Sequence, residues 1–224
     1  MRRLCGALLS AAVLSSLSWG QTATVHAPEP AVMVEFSNPG LSPSHWLLTI
    51  QPGGAAHFHS EMTGPEPTEK GKLRTPGIDR DIQLSATFAA SVFQTAGQHS
   101  YFNENCESHL KVAFQGTKTL SYYGPEGRGS CAFNYSRDRE IQALGDSFLG
   151  VAETVIEGAR LETLLQHDPL GLDKEISALA DAAQSGRAQQ LCAIRPILER
   201  LVKDERVLDI VRKRARALLA QASS

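Results

Sequence analysis

Trp46-Leu47-Leu48-Thr49-Ile50-Gln51-Pro52-Gly53-Gly54-Ala55-Ala56-His57-Phe58-His59-Ser60 is the stretch on which the fold turns. Trp46, Leu48 and Ile50 alternate with Leu47 and Thr49. Beyond Gln51-Pro52-Gly53-Gly54 the alternation resumes, with Ala56, Phe58, Ser60 and Met62 set against His57, His59 and Glu61. A period of two on both sides of a Pro-Gly turn predicts an antiparallel strand pair buried on one face.

Working outward, Val32 to Ser37 reads as a strand closed by the turn residues Asn38-Pro39-Gly40. Thr63 to Arg80 mixes Pro, Gly and charge without an apolar period and reads as a long loop. Ser85 is a good N-cap for a helix carrying Phe88, Ala89, Val92, Phe93 and Ala96 and closed by Gly97. After an irregular Gln98 to Ser108, three strands are expected. One has Leu110, Val112 and Phe114 alternating with Lys111, Ala113 and Gln115. One is centred on Leu120 and Tyr122, and one carries Cys131, Phe133 and Tyr135.

Beyond Ser136 the period becomes helical to the end. Ile141, Leu144, Phe148, Ala152, Val155, Ile156, Ala159 and Leu164 form one long face, in which Gly145, Gly150 and Gly158 predict bending or a break. Asp173 is the expected cap of a second helix and Asp204 of a fourth. Pro196 bends a third helix or marks its true start. The expected fold class is therefore α+β: an antiparallel sheet with one crossing helix, followed by an all-helical C-terminal segment. The expected divisions are a signal peptide at 1–20, a leader at 21–31, the antiparallel α+β domain at 32–136, and a helical bundle packed on it at 137–224.

Trp46-Leu47-Leu48-Thr49-Ile50 through Gly53-Gly54, the helix after Ser85, and Lys111-Val112-Ala113-Phe114 onward resemble, in their order, domains of unassigned function in exported bacterial proteins. The last two helices resemble a single HEAT-type hairpin, which cannot bury its own face and must pack on its neighbours. Neither resemblance implies an activity.

Met1-Arg2-Arg3, the apolar run Leu4 to Leu17 and the small residues Ser18 and Gly20 flanking Trp19 have the layout of a secretory signal cleaved before Gln21. The run is too short for a stable membrane span. The formal net charge is −2, and the signal takes Arg2 and Arg3 but no acid. The mature chain is thus mildly acidic, with no electrostatic reason to seek nucleic acid or anionic membranes. In an oxidising compartment two of the remaining cysteines, Cys106, Cys131 and Cys192, can pair. Cys106 and Cys131 lie beside strands of one sheet and are the expected disulfide. Cys192 then remains as a small apolar residue on a helix.

Candidate sites are few. His57 and His59 share a strand face, about 6–7 Å apart, and can supply two imidazoles to a metal. Glu61 shares that face, and His45, His99 or His109 would supply a third ligand only through folding. The alternative is a polar, solvent-facing side. Glu104, Cys106, Glu107 and His109 hold a thiol beside an imidazole, which a disulfide to Cys131 would silence. Tyr123 lies opposite the buried face of Tyr122 and suits a contact surface. Arg212, Lys213, Arg214 and Arg216 form a basic run that either complements a helix end or meets acidic envelope material. Asn134-Tyr135-Ser136 fits a glycosylation acceptor. No phosphate-binding glycine loop, nucleophile elbow, zinc-protease helix or paired-cysteine zinc motif is present.

The sequence therefore points first to a non-enzymatic exported protein that binds another protein or an envelope component, with no cofactor, no nucleic-acid partner and no membrane span after signal cleavage. The alternatives are a metal-assisted hydrolase using His57 and His59, and a structural spacer.

Overall fold

The computed structural model describes residues 29–61 and 77–222. The signal peptide, most of the leader, Met62 and the greater part of the expected loop lie outside the described residues. In chain order the elements are β1 (Ala31–Ser37), β2 (His45–Ile50), β3 (Ala55–Ser60), β4 (Ile78–Gln83), α1 (Ala86–Gln98), β5 (Thr117–Gly124), β6 (Gly127–Phe133), α2 (Arg139–His167), α3 (Leu172–Gln184), α4 (Arg195–Lys203) and α5 (Asp209–Gln221). Short 3-10 helices, Ser100–Phe102 and Leu191–Ile194, follow α1 and precede α4.

The six strands form one antiparallel sheet in the order β4-β3-β2-β1-β5-β6. The fold class is as the residue pattern predicts. Alternation decides the faces: Val32, Val34, Phe36, Trp46, Leu48, Ile50, Phe58, Leu120, Tyr122 and Phe133 are buried and pack with α1 and with α2 as far as Ala159 in one core. Every strand residue of the opposite face is half-buried or exposed except Ser121, whose hydroxyl meets that of Ser130 at 2.8 Å. An antiparallel sheet clothed on one side has this signature.

A second core joins Leu161 of α2 to α3, α4 and α5 through Leu172, Ile176, Leu179, Leu198, Leu201, Val211 and Leu218. α2 serves both cores. It runs unbroken for 29 residues, so the expected break at its glycines does not occur. A Cβ on Gly158 would lie 2.4 Å from Ile194 Cγ2, and Gly145 leaves room for Lys118 and Phe133. These glycines admit close neighbours rather than weaken the helix. Asp138, not foreseen, caps α2 by accepting from the N–H groups of Glu140 and Ile141. Pro196 marks the start of α4. Gly171, not Asp173, caps α3, and Asp204 ends α4 while Leu208 precedes α5.

Two strand expectations are corrected. Ile78–Gln83 is an edge strand that takes in Ile78–Arg80 of the expected loop. Its inward side is Ile78, Arg80 and Ile82, and the Arg80 guanidinium bonds Glu162 of α2 at 3.0 Å. A charge in the middle of the inward set hides the alternation. Conversely, Leu110–Gln115 is no strand: residues 105–116 run without ladder pairing, the Val112 N–H turns back to the Leu110 carbonyl at 2.9 Å, and residues 109–115 are all exposed. The Ser100–Phe102 turn lies against the inward face of β6, so closely that a Cβ on Gly129 would meet the Tyr101 carbonyl oxygen at 2.4 Å.

Candidate functional site

The displaced segment is the most unusual surface of the molecule. Leu110, Val112 and Phe114 are 45 %, 41 % and 60 % exposed, three of the eight large apolar side chains exposed among the described residues, and they fall within five positions. Single exposed apolar side chains need no explanation, but a cluster marks a contact surface.

The segment is held at both ends. Upstream, Cys106 and Cys131 form the expected disulfide, with Cα atoms 5.7 Å apart and both residues buried. Glu107 then accepts from the Asn134 N–H at 2.7 Å and from the His109 N–H and Ser108 hydroxyl, each at 3.2 Å. These bonds, that from Asn134 foremost, hold its carboxyl below the usual carboxylate range. Ser108 donates its N–H to the Tyr135 carbonyl. Downstream, the Asn134 side chain accepts from the Gln115 N–H at 2.7 Å and donates to the Ala113 carbonyl at 3.1 Å, while Asn38 donates to the Gln115 carbonyl at 3.2 Å. Gly116, at φ +110°, turns the chain into β5 where a Cβ would strike the Phe36 ring.

Behind this clamp stands Lys118, only 1 % exposed. Its Nζ donates to the Asn134 carbonyl at 3.0 Å and lies 5.3 Å from the Phe133 ring centroid. Burial pulls its pKa below the ordinary lysine value. Nothing in its sequence context marks a buried lysine.

The other predicted residues fall elsewhere. His57 and His59 do share the open face, and β4 sets two carboxylates against them. His57 Nδ1 meets Asp81 at 2.8 Å and its Nε2 meets Asp79 at 3.3 Å; His59 Nδ1 meets Asp79 at 2.9 Å. The rings thus lie in an exposed His–Asp lattice, and His45 pairs likewise with Glu35 at 2.9 Å. Among the described residues no group of three or more His, Cys, Asp or Glu side chains is arranged to hold a metal ion. His99 sits apart, between Glu104 at 3.0 Å and Glu140 at 3.2 Å. Burial would lower its pKa, but the bonds to Glu140 and Glu104 outweigh it and the net shift is upward. His109 is exposed beside Asn105, and the disulfide leaves it no thiol partner.

Tyr123 is exposed on the open face with the Arg128 guanidinium 5.1 Å from its ring centroid. Arg212, Lys213 and Arg216 lie on α5, in the helical half. Asp209 takes Lys213 at 2.9 Å and Arg212 at 3.5 Å, and Arg214 pairs with Asp173. Much of the basic run is therefore matched by acids of its own bundle.

A cleft of about 1080 Å³ opens where the ends of β3 and β4 approach α4; His57, Asp81, Ser85, Cys192, Arg195 and Pro196 line it. Cys192 is half-buried rather than fully buried, and burial pushes its thiol pKa up. A thiol held protonated is a poor nucleophile.

No family model matches the chain, and no curated protein matches it. Among the described residues no helix is long and apolar enough to cross a membrane.

Proposed function

We propose that this is an exported, non-enzymatic protein that binds another protein or an envelope component through the clamped segment Leu110–Gln115. One observation carries the reading: three large apolar side chains are held out to solvent by a disulfide and an asparagine clamp. Exposing Leu, Val and Phe costs solubility and gains the folded chain nothing by itself. Fixing them in place lowers the entropy lost on association. The Cys106–Cys131 disulfide is compatible with an oxidising compartment, and the layout of Met1 to Gly20 supplies the export signal.

The test is photo-cross-linking in the native host, with a photoreactive phenylalanine at position 114 and, as control, at the exposed Gln94 of α1. One stoichiometric adduct from position 114 and none from position 94 is expected; no adduct, or the same adducts from both, overturns the reading. Amino-terminal sequencing should find a mature chain beginning at Gln21. Elemental analysis separates this reading from metal-assisted hydrolysis: stoichiometric zinc, lost in His57→Ala, would replace it.

A further inference from the structure

Leu110–Gln115 has the residue pattern of a strand, but it joins no sheet. Its backbone shows what kind of partner would complete it. The Ala113 carbonyl and the Gln115 N–H and carbonyl turn inward to Asn134 and Asn38. In extended chain, successive residues direct their backbone groups to opposite sides, so Phe114 directs both of its groups outward, while the Val112 N–H turns back to the Leu110 carbonyl at 2.9 Å. Among the described residues the Val112 carbonyl and both the N–H and carbonyl of Phe114 have no hydrogen-bond partner. Leu110, Val112 and Phe114 are all exposed along this edge. Lys111 between them is exposed as well and, among the described residues, unpaired.

Resting on the binding reading above, we propose that this segment pairs edge-on with a β-strand of a partner protein. The partner strand lays apolar side chains over Leu110, Val112 and Phe114 and sets a carboxylate against Lys111. Main-chain bonds supply affinity in this mode of recognition and alternate side chains supply specificity. The sheet's own edges are poor substitutes. β4 presents the carboxylates Asp79 and Asp81, which discourage pairing, and β6 presents no apolar cluster like that of Leu110, Val112 and Phe114.

The probe is a synthetic peptide of alternating valine and threonine with one central glutamate, beside a copy N-methylated at alternate amides so that it cannot pair. Binding to the purified mature protein is measured by titration, and hydrogen exchange is followed at the Phe114 amide. The unmodified peptide should bind at least ~10-fold more tightly than the methylated copy, as expected when hydrogen bonds at a preformed edge are lost, and should protect the Phe114 amide. Phe114→Pro, which removes that N–H at an exposed position, should abolish the difference with the melting temperature unchanged. Equal binding of the two peptides, or wild-type behaviour of Phe114→Pro, overturns strand pairing while leaving the cross-linking result from position 114 standing. Failure of both peptides to bind overturns it as well. A concentration-dependent dimer that Phe114→Pro abolishes would assign the edge to a second copy of this chain and overturn the assignment to a partner.

Discussion

Glu157 of α2 and Glu175 of α3 approach the same guanidinium nitrogen, Nη1 of Arg160, with Glu175 at 3.8 Å and Glu157 closer. Glu157 is 6 % exposed, and its second carboxylate oxygen has no hydrogen-bond partner. Two carboxylates cannot both ionise cheaply over one cation when one of them is buried. Burial first, and then the neighbouring Glu175, push the Glu157 pKa up to about 8.

The pH dependence follows. Between the unfolded value, 4.5, and about 8, the folded chain keeps a proton that the unfolded chain releases. Stability contributed by this site is complete below the unfolded pKa and is lost as pH rises through that window. Urea melts between about pH 5 and pH 9 should show this decline. Glu157→Gln should flatten it and be more stable than wild type by about 1–3 kcal/mol at the alkaline end.

Removing the staple should cost more. Cys106 and Cys131 lie 25 residues apart, and closing such a loop contributes about 3 kcal/mol in the chain-entropy model. The double substitution to serine should lower stability by about that much in denaturant melts. A free-thiol assay of the mature chain, which lacks Cys5, under denaturing, non-reducing conditions should find Cys192 alone.

Gly158→Ala should destabilise, although alanine is the better helix former by about 1 kcal/mol. The added methyl would enter the Ile194 side chain, and overpacking costs about 1–3 kcal/mol. In an Ile194→Ala background, which lacks the Cγ2 methyl that would be struck, the same change should cost less than in wild type, a coupling that a double-mutant cycle reads directly.

Asn134→Ala removes the amide that holds both Ala113 and Gln115. About 1–2 kcal/mol of stability should go with it, and the Gln115 amide should exchange faster. Because the Asn134 amide is occupied in this way, the Asn134-Tyr135-Ser136 acceptor should stay unmodified in a glycosylating host, which intact mass would show.

The hairpin around Pro52-Gly53, the long helix after Ser136 and the pairing of Cys106 with Cys131 were legible because each depends on local periodicity or on redox chemistry. β4 was not, because Arg80 interrupts the apolar set of Ile78 and Ile82 and is satisfied by Glu162, a residue far along the chain. With β4 unseen, Asp79 and Asp81 went unseen as the partners of His57 and His59. Leu110–Gln115 misled in the opposite sense. Alternation reports a chain that can extend, but it does not say whether a strand lies alongside, and here none does.

The place of β1 in the sheet has a consequence in time. β1 is central, between β2 and β5, and eighty residue positions separate Ser37 from its β5 partner Thr117. At roughly 5–20 residues per second, several seconds of synthesis pass before the second side of β1 can be covered. During that interval the nascent chain shows one apolar strand with an unpaired edge, the kind of target that a holding chaperone recognises and that a premature fold would hide. Closure of the sheet is thus postponed by topology alone until residues from both ends of the α+β half have been made.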